Sequence, residues 1–534
     1  MTSSILRDTP APITRVRADL PGDLERIASR CLEKNPRERF QTALDVSNEL
    51  RRLRRLVERG ESTAPAPEKV ASIAVLPFVN RSQNVEDEYF SDGLADELLT
   101  MLAKIKGLRV SARSSSFHFK GKDAPIEEVG RALGVATVLD GSVRKAGNRV
   151  RISVQLVRVS DGDPLWSEEY DRTLDDIFAV QDDIAHAVVK ELRTTLLGEA
   201  VDSHVSGQVK AEVAQPARGR ATDPEAHRLY FLGRHFLDRG AREDVAKAIA
   251  YLSEALDRDP EFALAWVELA QSCAREADAG WVPVEEAYGR ARDLLERAFT
   301  LEPDLPEGHA LMGRIRMLHD WDWRGADASY GRALELAPGN AAALRGAGAL
   351  AMNSDRQEEA IALLRRSLER DPLRPGAYIS LAMSLIAANR FEEAEAVCRK
   401  GIEVAPQYVA TRSELALALL GQGNGEEARA EASQEVHPGF RLWALTMIDH
   451  ILGRKTESDE ELRELIEKGA EDGAFQIAEV LAVRGESDAA FEWLERAYAQ
   501  RDGGLAETKS SPRLRSLHGD ARWSGFLRKM GFET

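Results

Sequence analysis

Two hydrophobic periods divide this 534-residue chain. Near residue 150, Val150, Ile152, Val154 and Leu156 alternate with Arg151, Ser153 and Gln155, the pattern of a strand with one buried face. The phase slips at Leu156-Val157, which predicts a bulge, and Gly147-Asn148 predicts the hairpin turn before it. From about residue 223 onward apolar positions recur every three or four residues, helix after helix.

The same reading extends over residues 72–196. "SIAVLPFVN" is a short apolar run closed by Pro77 and Asn80, a buried strand. "YFSDGLADELLTMLAKI" gathers Leu94, Leu98, Met101, Leu102 and Ile105 on one helical side, with Ser91 or Asp92 as the expected cap. "LRVSARSSS" reads as a second strand, and "PIEEVGRALGV" as a helix begun by Pro125 and ended near Gly134. After the hairpin, "DGDP" turns the chain into "LWSEEY", and "DDIFAVQDDIAHAVVKEL" closes the region as a long helix. The order β-α-β-α-β-β-β-α predicts a mixed sheet with helices packed on it.

Proline marks the period of the helical part. Pro303, Pro338, Pro372, Pro406 and Pro438 end similar phrases, with gaps of 35, 34, 34 and 32 residues. Pro260 precedes them by 43 residues, a gap that holds the insertion "ADAGWVPVEE". Trp266, Leu269 and Ala270, then Tyr378, Leu381 and Ala382, fill matching places in two first helices. A small residue recurs in the second helices as Ala248, Ala291, Ala326, Ala360, Ala394 and Ala428, where paired helices must approach closely. This resembles the tetratricopeptide repeat, whose period is about 34 residues. About six repeats span 223–440, and 441–534 reads as a degenerate repeat followed by a segment capping the open end of the stack.

At the other end, "LPGDLERIASRCLEKNPRERF" and "TALDVSNELRRLRRL" are two short amphipathic helices without a core of their own. Leu24, Ile27, Arg30, Leu32, Lys34, Asn35, Pro36, Arg39 and Phe40 resemble the last segment of the C-terminal lobe of bacterial serine/threonine protein kinases. That resemblance implies a buried ion pair for Arg39, with a glutamate that would lie upstream of Met1. The Gly-rich loop, H-R-D and D-F-G elements of phosphoryl transfer do not occur in the chain. The expectation is therefore a kinase remnant over 1–58, with no catalysis by this chain. The alternative is that it is a fragment of a complete kinase whose catalytic lobe lies upstream.

Residues 72–196 in turn resemble the TolB N-terminal-like (FlgO-like) domain. The resemblance rests on "IAVLPF", "FSDGLADEL", "LRVSARSS", "LGVATVLDGSVRKAGNRVRISVQLV" and "LWSEEYDR". It implies a binding or coupling module that accompanies kinase, cyclase or winged-helix modules in bacterial signalling proteins. Polar, small-residue stretches at 59–71 and 197–222 read as linkers on either side.

Composition narrows the partners. The net charge of −17 argues against nucleic acid, which needs a basic face. The three cysteines, Cys31, Cys273 and Cys398, lie far apart and form no metal spacing. No apolar run reaches eighteen residues and no signal-like leader is visible, so a cytoplasmic location is expected, with neither cofactor nor metal.

Candidate chemistry is sparse. Asp92, Asp96 and Glu97 are expected to complement a helix N-terminus. Ser114, Ser115, Ser116 and His118 lack a nucleophile elbow and read as a polar loop. "DWDW" (320–323) and "GQGNG" (421–425) are expected in turns between helices. The fold class is thus multidomain: a kinase-like helical remnant, an α/β domain and an all-α repeat solenoid. The expected function is a protein-protein interaction scaffold in kinase-linked signalling. Its groove would take a protein or peptide partner, at Gln271, Arg314, Arg345, Met383 and Ser413.

Overall fold

Six strands build one sheet in the order β3-β1-β4-β5-β6, with β2 paired to β4 off that path. They are β1 (Ala71–Val75), β2 (Val79–Asn80), β3 (Leu108–Val110), β4 (Thr137–Ala146), β5 (Arg149–Arg158) and β6 (Pro164–Thr173). β1 runs parallel to β4, whereas β4, β5 and β6 form an antiparallel meander. The register shift falls at Leu156/Val157, where the alternation slips, and Ala146 faces Arg149 across the predicted turn. Val150, Ile152, Val154 and Leu156 are buried.

Helices cover this sheet: α1 (Glu88–Ala103), α2 (Arg113–Phe117), α3 (Ile126–Leu133) and α4 (Ile177–Leu196). α3 ends at Gly134 with φ 63°, the left-handed cap that glycine permits. Two expectations need correction. The strand expected over "LRVSARSSS" has only three residues, because the chain turns at Ala112 into the short helix α2. α1 begins at Glu88, so Ser91 and Asp92 lie inside the helix and do not cap it.

The computed structural model describes residues 71–196 and 221–532 except 83–86, 104, 106, 174–176 and 222, together with positions 27, 31 and 46. The kinase-like stretch and both linkers therefore lie outside the described residues, apart from those three positions, Ala71 and Ala221. The described residues within 72–192 and 221–532 form one unit.

Eight helix pairs follow among the described residues. They are α5 (Pro224–Arg239) with α6 (Arg242–Arg258), and α7 (Ala263–Asp278) with α8 (Val284–Leu301). Next come α9 (Pro306–Ile315) with α10 (Trp323–Leu336), and α11 (Ala341–Asn353) with α12 (Gln357–Arg370). α13 (Pro375–Ala387) pairs with α14 (Phe391–Val404), and α15 (Thr411–Gly421) with α16 (Gly425–Ala432). Two further pairs complete the stack: α17 (Pro438–Ile451) with α18 (Lys455–Gly469), and α19 (Ala474–Val483) with α20 (Ser487–Gln500).

The packing logic is that of the sequence. Ala248, Ala291, Ala326, Ala360, Ala394 and Ala428 are all 0% exposed, where the partner helix comes closest. The recurring prolines stand at or near the turns between pairs, where a fixed φ and a missing N–H are tolerated, and three of their carbonyls are used. Trp266 Nε1 donates to Pro260 O at 3.0 Å, His309 Nε2 to Pro303 O at 2.8 Å and Tyr378 OH to Pro372 O at 2.8 Å. Each bond ties a first helix to the turn that precedes it. The seventh pair escaped the sequence reading because Ser458 stands where the small alanine recurs. Its hydroxyl donates to Thr446 O at 2.9 Å, so the same close approach is kept with a different residue.

Candidate functional site

First helices of successive pairs touch one another, and this tighter spacing makes them the inner face of the stack. Two covers occupy that face. The first is the α/β domain, docked on α5 through a seam of buried charge. Asp96, 2% exposed and in the middle of α1, pairs with Arg113 Nε at 2.9 Å and with Arg234 of α5. Arg113 also meets Asp238 at 2.6 Å, and Arg234 meets Glu268 of α7 at 3.3 Å. Asp92 accepts from Lys120 at 2.5 Å and lies 3.1 Å from His235 Nδ1. Glu97 lies 2.5 Å from His227 Nε2.

Electrostatics follow from this geometry. Burial alone would raise the Asp92 carboxyl, but hydrogen bonds from His235 and Lys120 hold it below its ordinary value. Burial raises Glu268 despite Arg234 beside it. Burial pulls the Arg234 guanidinium down, but Asp96, Tyr230, Glu268 and Asp238 together outweigh it and lift it well above its usual range. The three acids expected to complement a helix N-terminus are therefore interdomain partners. An aromatic contact backs the charges: a Cβ on Gly93 would fall 2.5 Å from the Phe231 ring, so glycine lets α5 approach. The sequence signal for this seam is "HRLYFLGRHFLDR", in which His227, Arg234, His235 and Asp238 interrupt a face of aromatics.

A second grip reaches the turn before α13. Ser114 and Ser115 donate to the two oxygens of buried Asp371 at 2.6 and 2.5 Å. Ala112 N donates to Arg370 O at 2.6 Å, and Leu373 packs on the core of Ala74, Val129, Leu133 and Val138. The expected polar loop is thus a short helix whose hydroxyls hold the repeat stack. His118 takes no part in that grip; its Nε2 lies 2.7 Å from Lys122 Nζ.

The second cover is the chain's own C-terminal segment: two 3-10 turns (Gly503–Glu507 and Pro512–Leu517) and α21 (Ala521–Lys529). It does not cap the open end, as expected from sequence, but runs back across the inner face. Leu505, Leu514, Leu517 and Met530 are 0% exposed. Arg513 pairs with Glu414 of α15 at 3.2 Å and Glu479 of α19 at 3.1 Å, its guanidinium 4.6 Å from the Trp443 ring centroid. Arg515 Nη2 donates to Ala387 O at 2.9 Å. The segment ends on the "DWDW" turn: Trp323 donates to Met530 O at 2.8 Å and stacks on Phe532 at 4.2 Å. Trp321, at φ 53°, lies 5.1 Å from Tyr498. Asp322 caps α10 through Gly325 N, a structural use of that acid. "GQGNG" likewise forms the turn between α15 and α16, with Gly423 at φ 86°.

The five positions expected in the groove separate accordingly. Gln271 on α7 and Arg345 on α11 are half-buried. Arg314 on α9 donates to Asp278 at 2.7 Å. Met383 packs partly buried against the core of Leu364, Leu381 and Leu385. Ser413 is 0% exposed and donates to Phe440 O at 3.1 Å, so it holds α17 rather than facing a ligand. Its register position was right for a first helix, but α15 turns that side against the next pair.

The helical part is a tetratricopeptide repeat solenoid. Models of that repeat match residues 234–306, 322–375 and 354–407. Residues 68–187 match the second domain of HilA/YgeH-like transcriptional regulators, where the sequence suggested a TolB-like domain. A curated relative, a putative adenylate cyclase 3 of Rhizobium meliloti (strain 1021), is 38% identical over 248 residues. That match covers 46% of this chain and 40% of the relative, so the chain spans well under half the relative's length. PilW, a type IV pilus biogenesis factor, is similar at 21% identity with a TM-score of 0.33, over 39% of this chain and 91% of its own. YrrB, described as a repeat protein with an unusual peptide-binding site, gives 16% and 0.28, over 34% and 89%.

Proposed function

We propose that this chain is a protein-interaction scaffold of a bacterial signalling protein, and that its partner meets the inner face between the two covers. The observation that carries this reading is the polar surface at Gln271, Arg314 and Arg345, in a stack whose neighbouring inner surfaces are already filled from within. The resemblance to kinase-linked proteins and the similarity to a putative cyclase both favour a regulatory module attached to an effector. The α/β domain would then couple the repeats to that effector through the seam on α5.

Capture by the tagged full chain, with chemical cross-linking in its host, tests this. A partner held by the wild type should be lost from Arg314→Ala/Arg345→Ala. Unchanged capture by that variant overturns the assignment of the inner face.

A second reading is favoured by "CLEKNPRERF": the chain is the regulatory half of a complete serine/threonine kinase. An in-frame catalytic lobe upstream of Met1 in the genome would establish it, and a stop codon immediately upstream would remove it.

A further inference from the structure

Three arginines of successive repeats converge on the uncovered part of the inner face. Arg314 spends Nη1 on Asp278, while its Nη2 is buried without an acceptor. Among the described residues, neither the Arg345 nor the Arg374 side chain has an ion pair or a hydrogen bond. Arg345 lies half-buried near Tyr330, Arg374, Arg314 and Asp371. Burial, and then the charge of Arg374, pull its guanidinium below the ordinary value. Asp371, the one carboxylate in that group, is committed to Ser114 and Ser115.

A guanidinium keeps its proton at any physiological pH, so it cannot relieve burial by becoming neutral. A partly desolvated cation beside other cations carries a cost that only an anion offsets. The ion pairs elsewhere on this chain show the contrast. Arg234 and Arg513 are each buried against carboxylates, whereas Arg345 has the burial without the counter-charge.

We propose that Arg314, Arg345 and Arg374 form a binding site for an oxyanion, a carboxylate or phosphate group carried by the partner. The guanidinium fork matches both groups through paired N–H donors. The site adjoins the Asp371 grip, so its occupant would lie beside the contact that joins the α/β domain to the repeats. This rests on the inner face being the partner surface and adds the chemistry of the partner.

Isothermal titration of the full chain at low ionic strength, with inorganic phosphate and separately with succinate, tests the site. The wild type should bind at least one anion at a single site. Arg345→Gln should weaken that binding about tenfold or more, the scale of one lost charge-assisted hydrogen bond. Arg374→Gln changes an exposed side chain and leaves the core intact, so it tests the same site should Arg345→Gln misfold; it should weaken binding several-fold. Arg332→Gln, on the opposite helix of a pair, should bind as the wild type does. Tighter phosphate binding identifies a phosphorylated ligand, tighter succinate binding a carboxylate one. Heat from neither anion, or wild-type affinity in both Arg345→Gln and Arg374→Gln, overturns the proposal. Partner capture that persists without anion binding would sink the site alone; anion binding without any captured partner would sink the scaffold reading alone.

Discussion

The two covers of the inner face are made of opposite materials. The α/β domain meets α5 through carboxylates, arginines and histidines, with Phe231 on Gly93 as the apolar backing. The C-terminal segment meets the stack from the "DWDW" turn and α10 to α20 mainly through leucines, aromatics and Met530, with Arg513 as a deeply set charge. Burying apolar area is favourable and undirected, so the C-terminal cover acts as core and completes the last repeats. A charged seam is closer to break-even once desolvation is counted, but it tolerates only one register. The repeat is the same in both halves. Its lining decides whether a neighbour becomes part of the fold or a docked domain.

The sharpest way to break this contrast is in the apolar cover. Leu514→Asp puts a charge at a fully buried position and should cost about 4 kcal/mol or more, unfolding the last pairs first. Hydrogen exchange would show protection lost over α17–α20 while α5–α8 keep theirs; uniform loss would mean that the two halves are not separable. Next in size, Asp96→Ala leaves Arg113 with Asp238 alone and Arg234 with Glu268 alone, and should cost about 3 kcal/mol. Its effect should be confined to the seam, read as faster proteolysis between residues 196 and 221 with the repeat helicity retained.

A pH profile sharpens the difference further. Burial, then the charge of Glu479, push the Glu507 carboxyl up to about 8. Unfolded, it ionises at about 4.3. The folded chain therefore binds that proton more tightly, and its contribution to stability is complete below the unfolded value and lost as pH rises through about 8. Glu507→Gln should melt higher than the wild type at pH 8, with the gain shrinking toward pH 5. A constant difference across that range would contradict the assignment. Smaller still, Trp323→Phe removes the bond to Met530 O but keeps most of the stacking, for about 1 kcal/mol by urea denaturation. Least of all, Arg332→Ala on the exposed side, which loses bridges to Asp304 and Glu335, should leave the urea midpoint nearly unchanged.

Much of this was legible locally. The bulge at Leu156/Val157, the Gly134 cap and the six recurring alanines are consequences of period and size, which neighbours in sequence already express. The seam was misread because Asp92, Asp96 and Glu97 look alike whether they serve a helix end or a partner 130 or more residues away. Ser413 was misplaced for the same kind of reason: repeat register names a helix face, and only the next pair decides whether that face is open. The seventh pair hid behind Ser458, since a hydroxyl that finds a backbone carbonyl does the work of a methyl group.

What the sequence determined by itself is therefore the list of elements and the repeat, because helical and strand periods are set by backbone geometry over a few residues. The tertiary structure alone decided which charges meet, where residues 503–532 lie, and that Arg345 has no ion pair among the described residues. Those depend on which surfaces are brought together across hundreds of residues, and local hydrophobic pattern carries no record of a distant partner's charge.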